Sequence, residues 1–142
     1  MAPPYQPIVD LIVDQYPDVQ AIYLFGSFAA GTQNDTSDID LALLLPFVQS
    51  TQIDVTLWMD TSHKIAEISQ KDKIDLINLR DVDTVFANQV ITTGKLLYNN
   101  DRYGVDEFEM NTLSFYRQLN EQRAGIIDSA KQTGGFYEWP IV

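Results

Sequence analysis

The sequence predicts an α/β (α+β) fold: a small mixed sheet with flanking helices and a long C-terminal helix. Three observations carry this reading. Short β-branched and leucine-rich runs alternate with stretches of helical apolar spacing, the pattern of a sheet covered by helices. The chain has 142 residues, the length of one domain that buries roughly 68–70% of its unfolded surface. Its 45% hydrophobic and 20% charged residues are the composition of a packed protein rather than a disordered one.

The elements follow in order. Pro3, Pro4 and Pro7 predict a loose start. Ile8, Leu11, Ile12 and Tyr16 then recur at helical spacing, and Pro17 ends that helix. VQAIYLF (19–25) reads as a buried strand running into Gly26-Ser27. FAAGTQNDTS is small, polar and broken by glycine, which predicts a short helical turn and then a loop. DIDLALLL (38–45) is a second strand, stopped by Pro46. Residues 51–69 fit an amphipathic helix through Ile53, Leu57, Ile65 and Ile68, and KIDLINL (73–79) is a third strand. Asp81 or Asp83 caps a helix running to about Thr93, which Gly94 can close. KLLY (95–98) reads as a short edge strand and NNDRYG as a loop. Residues 105–132 form the long helix, with Phe108, Phe115, Leu119, Ile126 and Ala130 near one face. Gly134-Gly135 ends it before an aromatic tail with Phe136, Tyr137 and Trp139.

Composition excludes several chemistries. There is no cysteine, so a disulfide scaffold, a Cys-ligated zinc, an iron–sulfur cluster and a thiol nucleophile are ruled out. The single histidine, His63, excludes a His-rich metal site and reads as a mid-helix surface residue. The start MAPPYQP lacks the basic and apolar regions of a secretory signal. The longest apolar run, LALLLPFV (41–48), falls far short of the ~18 residues of a spanning helix. The expectation is a soluble cytoplasmic protein with no membrane contact. Nine Lys+Arg against twenty Asp+Glu give a net charge of −11, which repels a phosphate backbone and argues against direct nucleic-acid binding. Such a surface suits a basic protein partner or a site that concentrates cations, and it also simply keeps a protein soluble.

One passage carries chemistry: LFGSFAAGTQNDTSDIDLALLL (24–45). A strand delivers Gly26-Ser27, and ten residues later Asp38-Ile39-Asp40 opens the next strand. Strand side chains alternate faces, so Asp38 and Asp40 share one face and Ile39 takes the other. Two carboxylates on one face repel, and a divalent cation removes the conflict; hard oxygen ligands suit magnesium or manganese. Asp75 lies inside the apolar run KIDLINL, where a buried charge needs a partner. If the third strand lies beside the second, Asp75 completes a triad able to bridge two metals and clamp the attacking and leaving oxygens of phosphoryl-type transfer. Gly26 lets a phosphate approach the backbone, and the Ser27 hydroxyl can donate to it.

GSFAAGTQNDTSDID resembles the signature of the minimal nucleotidyltransferase superfamily: Gly-Ser, ten residues, then Asp-x-Asp. The short chain, the third acidic strand and a GKLLY segment followed by a C-terminal helix resemble the MNT-domain antitoxins of HEPN–MNT toxin–antitoxin pairs, over most of residues 8–130. The resemblance implies a minimal nucleotidyltransferase fold, polymerase-beta-like, in one domain over 1–142: a catalytic core at 8–98, the C-terminal helix at 99–133 and a tail at 134–142. It implies ATP as substrate, two Mg2+ ions, and transfer of AMP to a tyrosine hydroxyl of a cognate HEPN ribonuclease toxin, which silences it. Carried over residue by residue, Gly26 and Ser27 bind the nucleotide, Asp38 and Asp40 bind metal, and Asp75 joins them and helps activate the acceptor. One departure stands out. Many relatives have arginine where this chain has Ala30, so a cation near the nucleotide is missing.

Plainer readings stand beside these. Asp38 and Asp40 can be a strand-start cap and an exposed carboxylate, and Asp75 can be the partner of Lys73. Asp72, Asp81 and Asp83 compete for the third acidic role but lie in turn-like sequence, where capping is their ordinary use. Arg80 and Lys95 can reach phosphates or stay solvated. The aromatic tail can pack on its own core, and the long helix can face a partner. Two other functions stay open: a catalytically silent antitoxin acting by contact, and a nucleotidyltransferase acting on a small molecule or RNA.

Overall fold

The computed structural model describes residues 5–34 and 37–133, the last five by backbone alone. The elements in chain order are α1 (Tyr5–Gln15), β1 (Ala21–Phe25), α2 (Ser27–Ala30), β2 (Ile39–Leu44), α3 (Phe47–Ser50), α4 (Val55–Ser69), β3 (Ile74–Asn78), α5 (Thr84–Thr93), β4 (Lys95–Asn99) and α6 (Arg102–Thr133). The four strands form one sheet in the order β3-β2-β1-β4. β1 pairs antiparallel with both β2 and β4, whereas β2 and β3 run parallel. A parallel pair needs a crossover, and α4 supplies it.

Alternation along the strands builds two cores. Ile22, Leu24, Ile39, Leu41 and Leu43 cover one face and meet Ile8, Val9 and Ile12 of α1 and Ile65 of α4. Ala21, Tyr23, Ala42 and Leu44 cover the other face and meet Ala87 and Val90 of α5 and Val105 of α6. β1 and β2 are buried on both sides, which is why their sequences are nearly continuous apolar runs. On the second face, Tyr23 is 2% exposed and its hydroxyl donates to Glu109 Oε2 at 2.8 Å, tying β1 to α6.

The boundaries depart from the sequence reading in instructive ways. Pro7 lies in the first turn of α1, where its missing N–H removes no helical hydrogen bond, so the helix starts at Tyr5. Val19 spends its N–H on a turn, donating to the Tyr16 carbonyl at 3.0 Å, and β1 starts at Ala21. The expected helix at 51–69 begins only at Val55, because Asp54 caps it by accepting from the Leu57 N–H at 3.2 Å. The four-residue α3 is too short to show a period and was not legible in sequence. Asp83, not Asp81, caps α5, accepting from the Phe86 N–H at 2.8 Å. Gly94 ends α5 with extended backbone rather than a left-handed cap. A side chain there would strike the Val90 carbonyl and come within 2.9 Å of the Leu24 carbonyl, so glycine lets α5 turn tightly into β4. β4 is an edge strand, as expected.

α6 starts at Arg102, inside the expected loop, because Asp101 accepts from the Gly104 N–H at 3.0 Å. Its predicted apolar face is only partly used. Val105 is buried and Phe108 packs against the second core, but Phe115 is 60% exposed. Beyond that point, through residue 128, the helix is almost wholly exposed. The Ala130 side chain, the Gly134-Gly135 stop and the aromatic tail lie outside the described residues.

Candidate active site

β1 ends at Phe25, and the chain then turns through Gly26 at φ 72°, ψ −152°. That region is open essentially to glycine alone. Gly26 is also in tight quarters: a Cβ on it would collide with the Asp40 carboxylate, with Asp40 Cγ only 3.1 Å away. Glycine therefore serves backbone conformation and close approach at once. Ser27 opens α2, and Phe28 is buried in the first core, anchoring this short helix. Gly26 itself stays exposed at the mouth of the site.

Asp40 is the hub of the arrangement. Antiparallel pairing sets it opposite Phe25, and parallel pairing sets it opposite Asp75. Ile39 is fully buried in the first core, so Asp40 takes the second face with Ala42, as alternation requires. The Asp40 carboxyl is pushed up to about 6 by partial burial, then by a hydrogen bond with Asp75 and the charges of Asp75 and Asp38; Lys73 acts in the opposite direction. Asp75 was expected as a buried charge. It is instead half-exposed, with 46% of its side chain accessible, because β3 is the edge of the sheet. Lys73 Nζ lies 3.8 Å from Asp75 Oδ1, as the plainer reading of Asp75 expects, and Asp75 also stands in register with Asp40.

Among the described residues, no three acidic or histidine side chains converge closely enough to hold a metal as they stand. Asp40 and Asp75 form a pair, and Asp38, just before β2, acts on Asp40 through its charge. The donor chemistry fits a hard divalent cation: crowded carboxylates, one of them raised above its ordinary range by burial and by its acidic neighbours.

Other candidates sort by place. Arg80 is at the opposite end of the sheet. Its Nε donates to the Leu45 carbonyl at 2.5 Å, its Nη2 to Gln20 Oε1 at 2.8 Å, and its guanidinium lies 5.2 Å from the Phe108 ring centroid. These contacts tie the ends of β1 and β2 to α6, away from Asp40. Lys95 pairs with Leu24 at the site end of the sheet and is exposed. Asp81 sits in a turn after β3, with its N–H on the Asn78 carbonyl at 2.9 Å, and Asp72 and His63 are exposed. Sequence reasoning missed Lys71, whose Nζ lies 5.1 Å over the Phe28 ring of α2. It also missed the Phe25–Phe86 pair, whose rings meet edge to face at 5.7 Å beside Gly26. Residues on β1 and α5 are brought together only by tertiary packing.

The whole arrangement falls within residues 8–103, which match the family model described as Polymerase beta, Nucleotidyltransferase. The chain belongs to this nucleotidyltransferase family. The matched span of this nucleotidyltransferase includes Gly26, Ser27, Asp38, Asp40 and Asp75 and ends in the first turn of α6. Protein adenylyltransferase MntA of Shewanella oneidensis is 39% identical over 122 residues, covering 85% of this chain and 83% of that protein. Protein adenylyltransferase MntA of Aphanizomenon flos-aquae is 28% identical over 108 residues, covering 72% and 71%. Among solved structures, a toxin–antitoxin with AMP-PNP holds a chain of the same fold at TM-score 0.73 and 35% identity, over 90% of this chain and 98% of that one. A tri-AMPylated HEPN toxin of Shewanella oneidensis in complex with its MNT antitoxin matches at TM-score 0.67 and 32% identity, over 89% and 95%. The mixed sheet with flanking helices and long C-terminal helix is thus the minimal nucleotidyltransferase fold that the motif implied. No helix among the described residues is long and apolar enough to cross a membrane.

Proposed function

We propose that this nucleotidyltransferase is a protein adenylyltransferase antitoxin, which moves AMP from ATP to a tyrosine hydroxyl of a cognate HEPN ribonuclease and so silences it. The observation that carries the reading is the packing of the Gly26 backbone against Asp40, itself in register with Asp75. The 39% identity to a protein adenylyltransferase supports it from a separate direction. In this reading Gly26 gives a phosphate access to the main chain, and the Ser27 hydroxyl donates to it. Asp38 and Asp40, with Asp75, hold two magnesium ions, for which manganese can substitute. Bound there, the ions supply Lewis-acid polarisation of the α-phosphoryl group and neutralise charge on pyrophosphate. Asp75, half-exposed on the edge strand, helps activate the acceptor hydroxyl by accepting its proton. The hydroxyl oxygen bonds to the α-phosphorus as the α–β bridge breaks, and pyrophosphate leaves. An acidic chain of net charge −11 suits a basic partner, and the reaction belongs in the cytoplasm where that ribonuclease acts.

The test is direct. The purified protein is incubated with its genomic neighbour, magnesium and ATP, and the neighbour is weighed by intact mass spectrometry. The expected gain is one or more AMP units of about 329 Da each, absent with Asp38→Asn/Asp40→Asn. A complex that forms and silences the ribonuclease with no mass gain, for any of the four nucleotides, would leave inhibition by contact in its place.

A further inference from the structure

Only nine lysines and arginines serve a chain of net charge −11, and few of them stand near the acids of the site. Arg80 is held at the far end of the sheet, Lys64 pairs with Asp60 on α4 at 3.0 Å, and four belong to α6. Three remain at the end that carries Asp40: Lys71 and Lys73 on the approach to β3, and Lys95 at the start of β4. Lys73 lies against Asp75, and Lys95 is exposed on the opposite edge of the sheet. Lys71 is the one whose ammonium meets α2, with Nζ 5.1 Å from the ring centroid of Phe28, the residue after Ser27. We propose that Lys71 binds the β- and γ-phosphates of the nucleotide and stabilises the departing pyrophosphate, an inference that rests on the function proposed above.

The backbone is built to place it there. α4 closes through Gln70 at φ 56°, ψ 37°, the one non-glycine residue of positive φ among the described residues. The Lys71 N–H donates to the Ala66 carbonyl at 3.0 Å and the Gln70 N–H to the Glu67 carbonyl at 3.3 Å, a helix close that ordinarily takes glycine. Strain of this kind is kept at functional positions. Among the described residues no carboxylate pairs with the half-buried Lys71, in a chain of twenty acids. Its ammonium rests on an aromatic face instead, a contact weak enough to exchange for a phosphate, and its four-carbon stem is flexible enough to make the exchange. The need for a cation is plain, because α2 has no basic residue of its own and the strand acids are negative. Charge grows on the pyrophosphate as the α–β bridge breaks, so an ammonium there favours the transition state over the bound nucleotide. Lys71 stays protonated throughout and moves no proton.

Calorimetric titration of the full chain with ATP and with inorganic pyrophosphate, both with magnesium, tests this beside AMP transfer to the genomic neighbour. Lys71→Met should weaken ATP and pyrophosphate about tenfold or more, at an unchanged melting temperature, and lower kcat/KM for ATP at least as much. Lys71→Arg keeps the charge and the ring contact and should restore most of both. Lys95→Met removes an equal charge from the opposite edge of the sheet and should bind both ligands as wild type does. If Lys71→Met binds them as wild type does, if Lys71→Arg restores nothing, or if Lys95→Met weakens them equally, the assignment of Lys71 is wrong while the transferase reading stands. If wild type neither binds ATP nor transfers AMP, both fall.

Discussion

The Asp40 carboxylate occupies the space in which any side chain on Gly26 would begin. This single contact joins the two halves of the site, the turn proposed to face the phosphates and the strand that carries Asp40. It also explains why the turn is glycine twice over, since φ is 72° there.

Gly26→Ala should therefore abolish AMP transfer rather than tune it. The backbone strain alone costs about 1–3 kcal/mol, and the methyl group must displace Asp40. A drop of a hundredfold or more in transfer, measured by intact mass of the partner, should accompany a lower melting temperature. Transfer within tenfold of wild type would show that Asp40 has room to move.

Asp40 should leave a signature in stability. Its folded-state value of about 6 stands above the ordinary 3.8, so the folded protein binds this proton more tightly than the unfolded chain. The resulting stabilisation is complete below the ordinary value and is lost as pH rises through about 6. In metal-free urea melts, the stability of wild type relative to Asp40→Asn should fall between pH 4 and 7. Magnesium at pH 7 should then raise wild type and leave Asp40→Asn unchanged. A pH-independent difference would mean that the carboxyls do not crowd one another.

Arg80 should matter to the fold and not to the nucleotide. It joins the Leu45 carbonyl, Gln20 and the Phe108 ring at the end of the sheet away from Asp40. Arg80→Met should lower stability by about 1–3 kcal/mol with ATP affinity unchanged. A selective loss of ATP binding at intact stability would return Arg80 to the phosphates.

Tyr23→Phe should loosen α6. The buried hydroxyl donates to Glu109, and burial together with that carboxylate holds the phenol well above its ordinary range. Removing it should cost about 1–2 kcal/mol in urea denaturation and speed amide exchange in the first turns of α6. Unchanged exchange there would place the anchor of α6 in Val105 and Phe108 alone.

Much of the site was legible in the sequence because its rules are local. Alternation along β2 sends Ile39 into the core and Asp40 to the other face, and the burial of Ile39 agrees; Asp38 lies just before the strand and acts on Asp40 through its charge. Glycine between a strand and a polar turn marked Gly26, and the spacing to Asp-x-Asp marked the family. Helix caps were less certain, since Asp81 and Asp83 offer the same chemistry two residues apart and only the Phe86 N–H chooses between them.

The rest is non-local. That Asp75 faces Asp40 depends on the register of a parallel pair set by α4. That Asp75 is half-exposed depends on β3 being the edge, which no run of apolar residues reveals. Arg80 looked like any surface cation until two strand ends and a ring closed around it. The sequence by itself determined the Gly-Ser and Asp-x-Asp motif and the strand faces that Ile39 and Asp40 take, because side-chain alternation is a property of one strand. Only the tertiary structure decided which strands are neighbours, where the charges meet and what lies beside Gly26, because those depend on how distant segments pack.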